Sequence, residues 1–316
     1  MKTPCFLGID TSNYTTSVAV AREGKIIANL KAPLPVKEGE CGLRQSDALF
    51  HHVKNLPTLM PALREALAGE RPSAVGVSTR PRNQEGSYMP CFLAGASAAQ
   101  TASAALGVPL YAFSHQCGHL RAALYSSGAD SLARERFGAF HISGGTTEML
   151  LVSPDRAGFH ADIVGGTRDL NAGQLVDRIG VMLGLAFPCG MALERLAMEN
   201  ERKLPRRKIK TEDGFLHLSG VENMARKIYA ESGDRAYTAA FLLKYLADAV
   251  IAMSKDLRRL HGESLPIVYA GGVMSNSLIR ADVTGEISDA HFAEPAFSAD
   301  NAAGIALLTE EKYRAV

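Results

Sequence analysis

The sequence predicts a two-lobed α/β fold with the same architecture repeated in both lobes. Three observations predict it. The chain has 316 residues, about twice a typical single domain. A strand–turn–strand–turn–strand pattern opens at residue 5 and restarts at residue 138. Each copy is followed by alternating helical and strand segments, the mark of parallel crossover units.

The elements follow in order. Residues 5–10 (CFLGID) form a short apolar strand, and 14–21 (YTTSVAVA) a β-branched one after a polar turn. Arg22 to Lys25 turn into a third strand at 26–31. Residues 33–45 read as loop, and Ser46-Asp47 as the cap of a helix carrying Leu49, Val53, Leu56, Leu59 and Leu63 on one face. A strand at 74–78, an Ala-rich helix at 92–106, a strand at 109–113 and a helix from His115 to Tyr125 complete the first copy. The second copy has strands at 138–143, 148–153 and 159–164, with Gly144-Gly145-Thr146-Thr147 as its first turn. Helices are expected at 173–184, 190–200, from 221, and at 235–260. The strand 266–270 then runs into Gly271-Gly272, a helix, a strand at 289–293 and a last helix from Asn301. The expected lobes are 1–130 and 131–299, with a helical insertion at 171–262, the last helix returning to the first lobe, and a ligand cleft between them.

Composition removes several classes. Hydrophobic residues make up 47% and charged residues 21%, and the net charge is +1. That excludes a strongly basic nucleic-acid coat and an acidic tail protein, so a nucleic acid would have to be held by a local patch. No apolar run reaches the roughly 18 residues of a membrane span. The segment before Asp10 is too short in apolar residues for a signal peptide. The five cysteines make no C-x-x-C pair, which argues against a disulfide framework and for a reducing, cytoplasmic setting.

Candidate chemistry sits at the turns. Asp10-Thr11-Ser12 and Ser143-Gly144-Gly145-Thr146-Thr147 occupy matching positions of the two copies, where small residues and hydroxyls let backbone N–H groups approach phosphate. Simple β-turns use the same residues. Gly271-Gly272-Val273-Met274-Ser275-Asn276 joins a strand to a helix whose positive end faces an anion. His115 and His119 are one helical turn apart, as a metal pair requires, and Asp300 would complete two imidazoles and a carboxylate. Asp300 also reads as a helix cap. Asp177 and Glu194 lie on successive helices around Phe187-Pro188-Cys189-Gly190. Arg206, Arg207 and Lys208 belong to a basic run suited to RNA phosphates or simply to solvent. There is no phosphate-binding P-loop, no nucleophile elbow and no H-E-x-x-H, so a P-loop NTPase, an α/β-hydrolase and a zinc protease lack support.

Taken together, LGIDTS (7–12), SHQCGHL (114–120), SGGTT (143–147), NAGQLVDRIGVMLGLAFPCG (171–190), LSGVEN (218–223), AGGVMSN (270–276) and DNAAGIA (300–306) resemble, in order, the TsaD family of tRNA threonylcarbamoyladenosine transferases. The resemblance implies the actin/sugar-kinase/Hsp70 fold of duplicated RNase H-like domains. It implies one divalent metal, iron or zinc, on His115, His119 and Asp300, with ATP or an adenylate as ligand. Ser143 to Thr147 and Gly271-Gly272 would line the nucleotide, and Asp177, Gly190 and Asn276 its adenosine part, with Glu194 nearby. No side-chain nucleophile is implied. The implied partners are tRNA and TsaB-like and TsaE-like subunits, with no membrane. The chain departs from the family at Asn13-Tyr14-Thr15, Thr146, Gln174, Cys189 and Glu222, and in the segment Arg80 to Gly86 where the family has Gly-Pro-Gly. The alternatives are a paralogue with another acceptor or a hydrolytic activity, and a non-catalytic nucleotide-binding regulator. A sugar kinase leaves the histidine pair unexplained.

Overall fold

The computed structural model describes residues 3–12, 14–35, 43–156, 158–205, 207–298 and 301–316. The chain divides into two compact units: unit 1 comprises Met1–Tyr125, Pro154–His160 and Ala299–Val316, and unit 2 comprises Ser126–Ser153 and Ala161–Ser298. The boundary expected near residue 130 falls at 125/126, and the hairpin segment 154–160 goes with unit 1.

Unit 1 is built on β1 (Phe6–Asp10), β2 (Thr15–Arg22), β3 (Lys25–Pro33), β4 (Ala74–Arg80) and β5 (Leu110–Ser114), in the sheet order β3-β2-β1-β4-β5. β1 runs antiparallel to β2 and parallel to β4. Alternation along β1 decides the layers. Leu7 and Ile9 face α1 (Gln45–Leu67) and α2 (Phe92–Leu106), in a core with Val18, Val20, Leu59, Leu63 and Ala99. The other face receives the last helix, α10 (Ala303–Arg314), which packs on β1, β2 and β4. There the Phe6 ring meets Tyr313 at 5.2 Å. α3 (His115–Ser126) follows β5 directly.

One local expectation is corrected. Ser46 and Asp47 do not cap α1. Arg44 is the capping position, and Asp47 sits inside the first turn, where its charge still favours the helix dipole. The buried side of α1 is Ala48, His52, Leu59 and Leu63, and Val53 is 56% exposed.

Unit 2 repeats the plan with β6 (Phe137–Ile142), β7 (Thr147–Asp155), β8 (Gly158–Thr167), β9 (Phe215–Leu216), β10 (Ile267–Ala270) and β11 (Ala290–Phe292). Its order β11-β10-β6-β7-β8-β9 contains the unit 1 sequence of neighbours, plus a two-residue strand at one edge. β6 again pairs antiparallel with β7 and parallel with β10. Its helices are α4 (Ala172–Met182), α5 (Gly190–Met198), α6 (Ser219–Ser232), α7 (Arg235–His261), α8 (Ser277–Glu286) and the single turn α9 (Pro295–Ser298). α7 is long and apolar enough to cross a bilayer by length and composition, yet 67% of its most apolar stretch is buried inside the protein. Leu242, Leu246, Val250, Met253 and Leu257 of α7 join Phe140, Leu175, Ile179, Leu193 and Ile279 in one core, as a central helix of a globular unit does.

Candidate active site

Unit 1 carries the histidines. His115 and His119 lie one turn apart on α3, and their rings meet edge to face with centroids 4.3 Å apart. His119 is buried and His115 half-buried. The Nδ1 of His115 is 3.1 Å from Oδ1 of Asp10, at the carboxyl end of β1. Asp10 is fully buried. It also accepts from the hydroxyls of Ser12 and Ser78 and from the N–H of Ser12, at 3.4 Å. Burial pushes this carboxyl up, but the His115 charge and these hydrogen bonds outweigh it and hold it below the usual range.

The expected phosphate turn Asp10-Thr11-Ser12 is therefore revised. All three residues are buried, and their side chains are spent within unit 1. Thr11 donates to the carbonyl of Cys91 and accepts the N–H of Gly95, tying β1 to the start of α2. The β-turn chemistry was legible, but the direction of the side chains depends on neighbours 68 to 105 residues away.

The metal implied by the resemblance can be tested on these donors. Among the described residues, no group of three His, Cys, Asp or Glu side chains is arranged to hold an ion. Asp300 lies outside the described residues. The two imidazoles present fit such a site in position and chemistry. Asp10 on the Nδ1 of His115 is the carboxylate-on-remote-nitrogen pattern that accompanies metal-bound histidines.

Unit 2 carries the other group, gathered at the carboxyl ends of β6 and β10. The Ser143–Thr146 turn is closed by the Ser143 N–H to the carbonyl of Thr146, at 2.8 Å. Three bonds hold it on the first turn of α4: Gly173 N–H to the Ser143 carbonyl, Ala172 N–H to Thr147 Oγ1, and the Asn171 amide to the Gly145 carbonyl. Gly144 and Gly145 are exposed, and a Cβ at either, or at Gly272, meets nothing within 4 Å. Gly271 is different: its φ is +101° and a Cβ would stand 2.2 Å from the carbonyl oxygen of Ile142, so the β10 turn seats directly on β6.

The α4, α5 and α8 residues are joined in series. Asp177 on α4 accepts the N–H of Cys189, the residue that opens α5, at 2.8 Å. Burial pushes the Asp177 carboxyl up, only partly offset by that bond. Burial and the adjacent Asp177 charge also raise the Cys189 thiol. Glu194 on α5 accepts the N–H of Ser277 at 2.8 Å and its hydroxyl, while Asn276 accepts the N–H groups of Leu278 and Ile279 at 3.1 Å. The first turn of α8, expected to offer bare N–H groups to an anion, is thus capped by Asn276 and Glu194. Gly190 is exposed at the start of α5, beside Phe187 at 66% and Met191 at 76% exposure.

Sequence reading missed Asp169. It accepts the N–H groups of Leu170 at 2.7 Å, Leu218 at 2.8 Å and Ser219 at 3.2 Å, and the Ser219 hydroxyl at 2.6 Å. It so pins the approach to α4 onto the start of α6. Burial raises its carboxyl, but these donors prevail and hold it far below the usual range. An acid two residues before Asn171 was the only signal. Asp169→Asn is expected to cost about 2 kcal/mol at neutral pH, the scale of hydrogen bonds to a charged group. The depressed carboxyl stabilises the fold fully above the ordinary carboxylate range and loses that contribution as pH falls through its folded value. The gap between wild type and Asp169→Asn in urea unfolding should therefore narrow on acidification below that range. A gap constant with pH would show that the charge is not what matters.

The basic run is less free than expected. Arg206 lies outside the described residues. Arg207 stacks over the Phe241 ring at 5.1 Å, and its N–H lies 3.3 Å from Asp248. Lys208 is exposed.

The model of the TsaD family, tRNA N6-adenosine threonylcarbamoyltransferase, matches residues 38–307. The tRNA N6-adenosine threonylcarbamoyltransferase of Thermus thermophilus is 31% identical over 99% of this chain and 94% of its own length. That of Streptococcus suis is 32% identical over the same shares, 99% and 94%. Among solved structures, HypF of T. kodakarensis aligns with a TM-score of 0.65 at 12% identity, over 99% of this chain and 47% of that one. This chain thus spans about half the length of HypF. Component A of the (R)-2-hydroxyglutaryl-CoA dehydratase of Acidaminococcus fermentans aligns at 0.56 and 12% identity, over 98% and 99%. At such identities the likeness is one of fold, the actin-like kinase fold.

Proposed function

Because the chain belongs to the TsaD family of tRNA N6-adenosine threonylcarbamoyltransferases, we propose that it transfers the threonylcarbamoyl group of threonylcarbamoyl-adenylate to N6 of adenosine 37 in tRNA. It is an acyltransferase of tRNA modification by this membership. The observation that carries the fuller reading is the array on unit 2, where the Ser143–Thr147 turn, Gly271-Gly272 and the Asp177–Glu194–Asn276 series share one end of the sheet.

In this reading, the open glycines Gly144, Gly145 and Gly272 admit the adenylate phosphate close to the backbone. The exposed Phe187 and Met191 offer an apolar surface to the adenine, with Asp177 and Gly190 at its edge. The N6 nitrogen attacks the carbamoyl carbon, a C–N bond forms, the C–O bond of the mixed anhydride breaks, AMP leaves and N6 gives up one proton. His115, His119 and Asp300 would hold iron or zinc, whose chemistry when bound would be that of a Lewis acid, polarising an oxygen where charge develops. Lys208, with Arg206 and Arg207, would meet the tRNA backbone.

A TsaB-like partner is supported by unit 1, where α1 and α2 bound an apolar groove of about 770 Å³. Phe50, Val53, Met60 and Leu93 of these helices are exposed, an apolar surface of the kind that subunit contacts cover. A TsaE-like subunit and a cytoplasmic setting go with the same reading.

One observation favours the second reading, a different acceptor. Where the family has Lys, Glu222 pairs with Arg178 at 3.0 Å and Arg226 at 2.7 Å, so the local charge is reversed and rebuilt. The test is the threonylcarbamoyladenosine content of tRNA, by mass spectrometry, in cells depleted of their own TsaD and supplied with this protein and its host's partners. Restored modification is expected. Absence of it, with the protein folded, would shift the assignment to the second reading.

A further inference from the structure

We propose that Asp10 is a positioning residue for the histidine pair. It locks the His115 ring through Nδ1 so that the opposite nitrogen, Nε2, serves as the metal-ligating atom. The inference rests on the metal reading above and adds a residue to it.

The geometry carries it in three steps. First, Asp10 ends β1 and His115 begins α3 immediately after β5, so both side chains hang from strand ends of one sheet rather than from a loop. Second, the His115 Nδ1 lies 3.1 Å from Oδ1 of Asp10, and a carboxylate can only accept, so Nδ1 carries the proton. Third, the carboxylate is itself fixed on both oxygens. Ser78, on β4, donates to Oδ1, and Ser12 donates its hydroxyl and N–H to Oδ2. An acid whose oxygens are occupied by hydroxyl and amide donors at full burial orients a neighbour. Among the described residues, no group of three His, Cys, Asp or Glu side chains is arranged around an ion.

The position is unusually constrained for a turn residue. Thr11, next along the chain, is bonded to Cys91 and Gly95, so the backbone at Asp10 is anchored from both β1 and α2. Ser78 is fully buried, and among the described residues its hydroxyl donates to Asp10. Ser78 on β4 thus bears on His115 through Asp10.

The experiment uses the full-length protein and Co²⁺ or Zn²⁺ as probe, with affinity measured by chelator competition. Ser78→Ala and Asp10→Ala are each expected to weaken metal binding by about 10- to 100-fold, the range for partners behind a metal ligand. Asp10→Asn, which keeps an acceptor for Nδ1–H, should recover part of the loss. Long-range ¹⁵N–¹H NMR of the imidazoles, on metal-free protein, should show His115 protonated on Nδ1 in wild type. In Asp10→Ala that tautomer preference should disappear. If Asp10→Ala fails to fold, Ser78→Ala decides alone, because it leaves every charge in place. Unchanged metal affinity in Ser78→Ala, or an unchanged His115 tautomer in folded Asp10→Ala, would overturn the inference. His119→Ala separates the two levels. If it loses metal while the Asp10 and Ser78 variants do not, the positioning role fails alone. If His119→Ala also binds metal as wild type does, the metal reading itself fails.

Discussion

Replacing His119 by Ala should lower tRNA threonylcarbamoylation by more than about a hundredfold. Substitutions behind a ligand already cost 10- to 100-fold in affinity or activity, and the proposed metal reading makes His119 a ligand itself. The ring is buried and stacked edge to face on His115, so no neighbouring imidazole can slide into its place without breaking the Asp10 contact. Metal content of the purified protein should fall in parallel, while the unfolding temperature in excess chelator should change only by the modest cost of a small cavity. The parallel fall is what identifies the ring as a ligand. Full activity with full metal content in His119→Ala would remove the histidine pair from the reaction.

The second large effect is expected at Gly304. This residue lies in the first turn of α10, where the helix crosses α3 at Gly118. A Cβ at Gly304 would stand 1.8 Å from the Gly118 carbonyl oxygen and 2.9 Å from the Ala122 N. Both are backbone atoms, so no side chain can rotate away and the two helices must separate. The fully buried Ile305 beside it also faces Gly118, which leaves no slack in the crossing. Gly304→Ala should cost about 3 kcal/mol or more, the upper range for overpacking. Because α3 also carries His115 and His119, metal affinity should drop even in the fraction that stays folded. An unfolding free energy, from urea titration, within about 0.5 kcal/mol of wild type, the range of neutral surface changes, would show that the crossing tolerates a methyl group.

Much of this architecture was legible in the residues. Two short apolar strands, each followed by a small-polar turn and a second strand, were enough to anticipate the repeat. The paired sheet orders, β3-β2-β1-β4-β5 and β8-β7-β6-β10-β11, follow the same chain logic. Period-two alternation in β1 and helical spacing in α4 and α7 are local signals, and local signals survive in sequence. What escaped was short or distributed. β9 is two residues long, below any periodic signal, and it pairs with β8 at the sheet edge beside the Asp169 contacts to Leu218 and Ser219. The cap of α1 was misplaced by two to three residues, since Ser, Asp and Arg can all precede a helix and no side-chain cap bond decides among them.

The sequence by itself determined which residue types stand at the strand ends, and through them the α/β class, the repeat and the family. It could not determine which way those residues point. Asp10-Thr11-Ser12 and Ser143 to Thr147 look alike as strings, yet the first turn faces inward to Ser78, Cys91 and His115, while the second keeps Gly144 and Gly145 open. Only the tertiary structure decided that difference. A buried carboxylate must find donors, and the donors that satisfy Asp10 arrive from β4 and α3, far along the chain. In the second turn, the Ser143 and Gly145 carbonyls accept from Gly173 and Asn171 at the start of α4, and Gly144 and Gly145 stay at the surface.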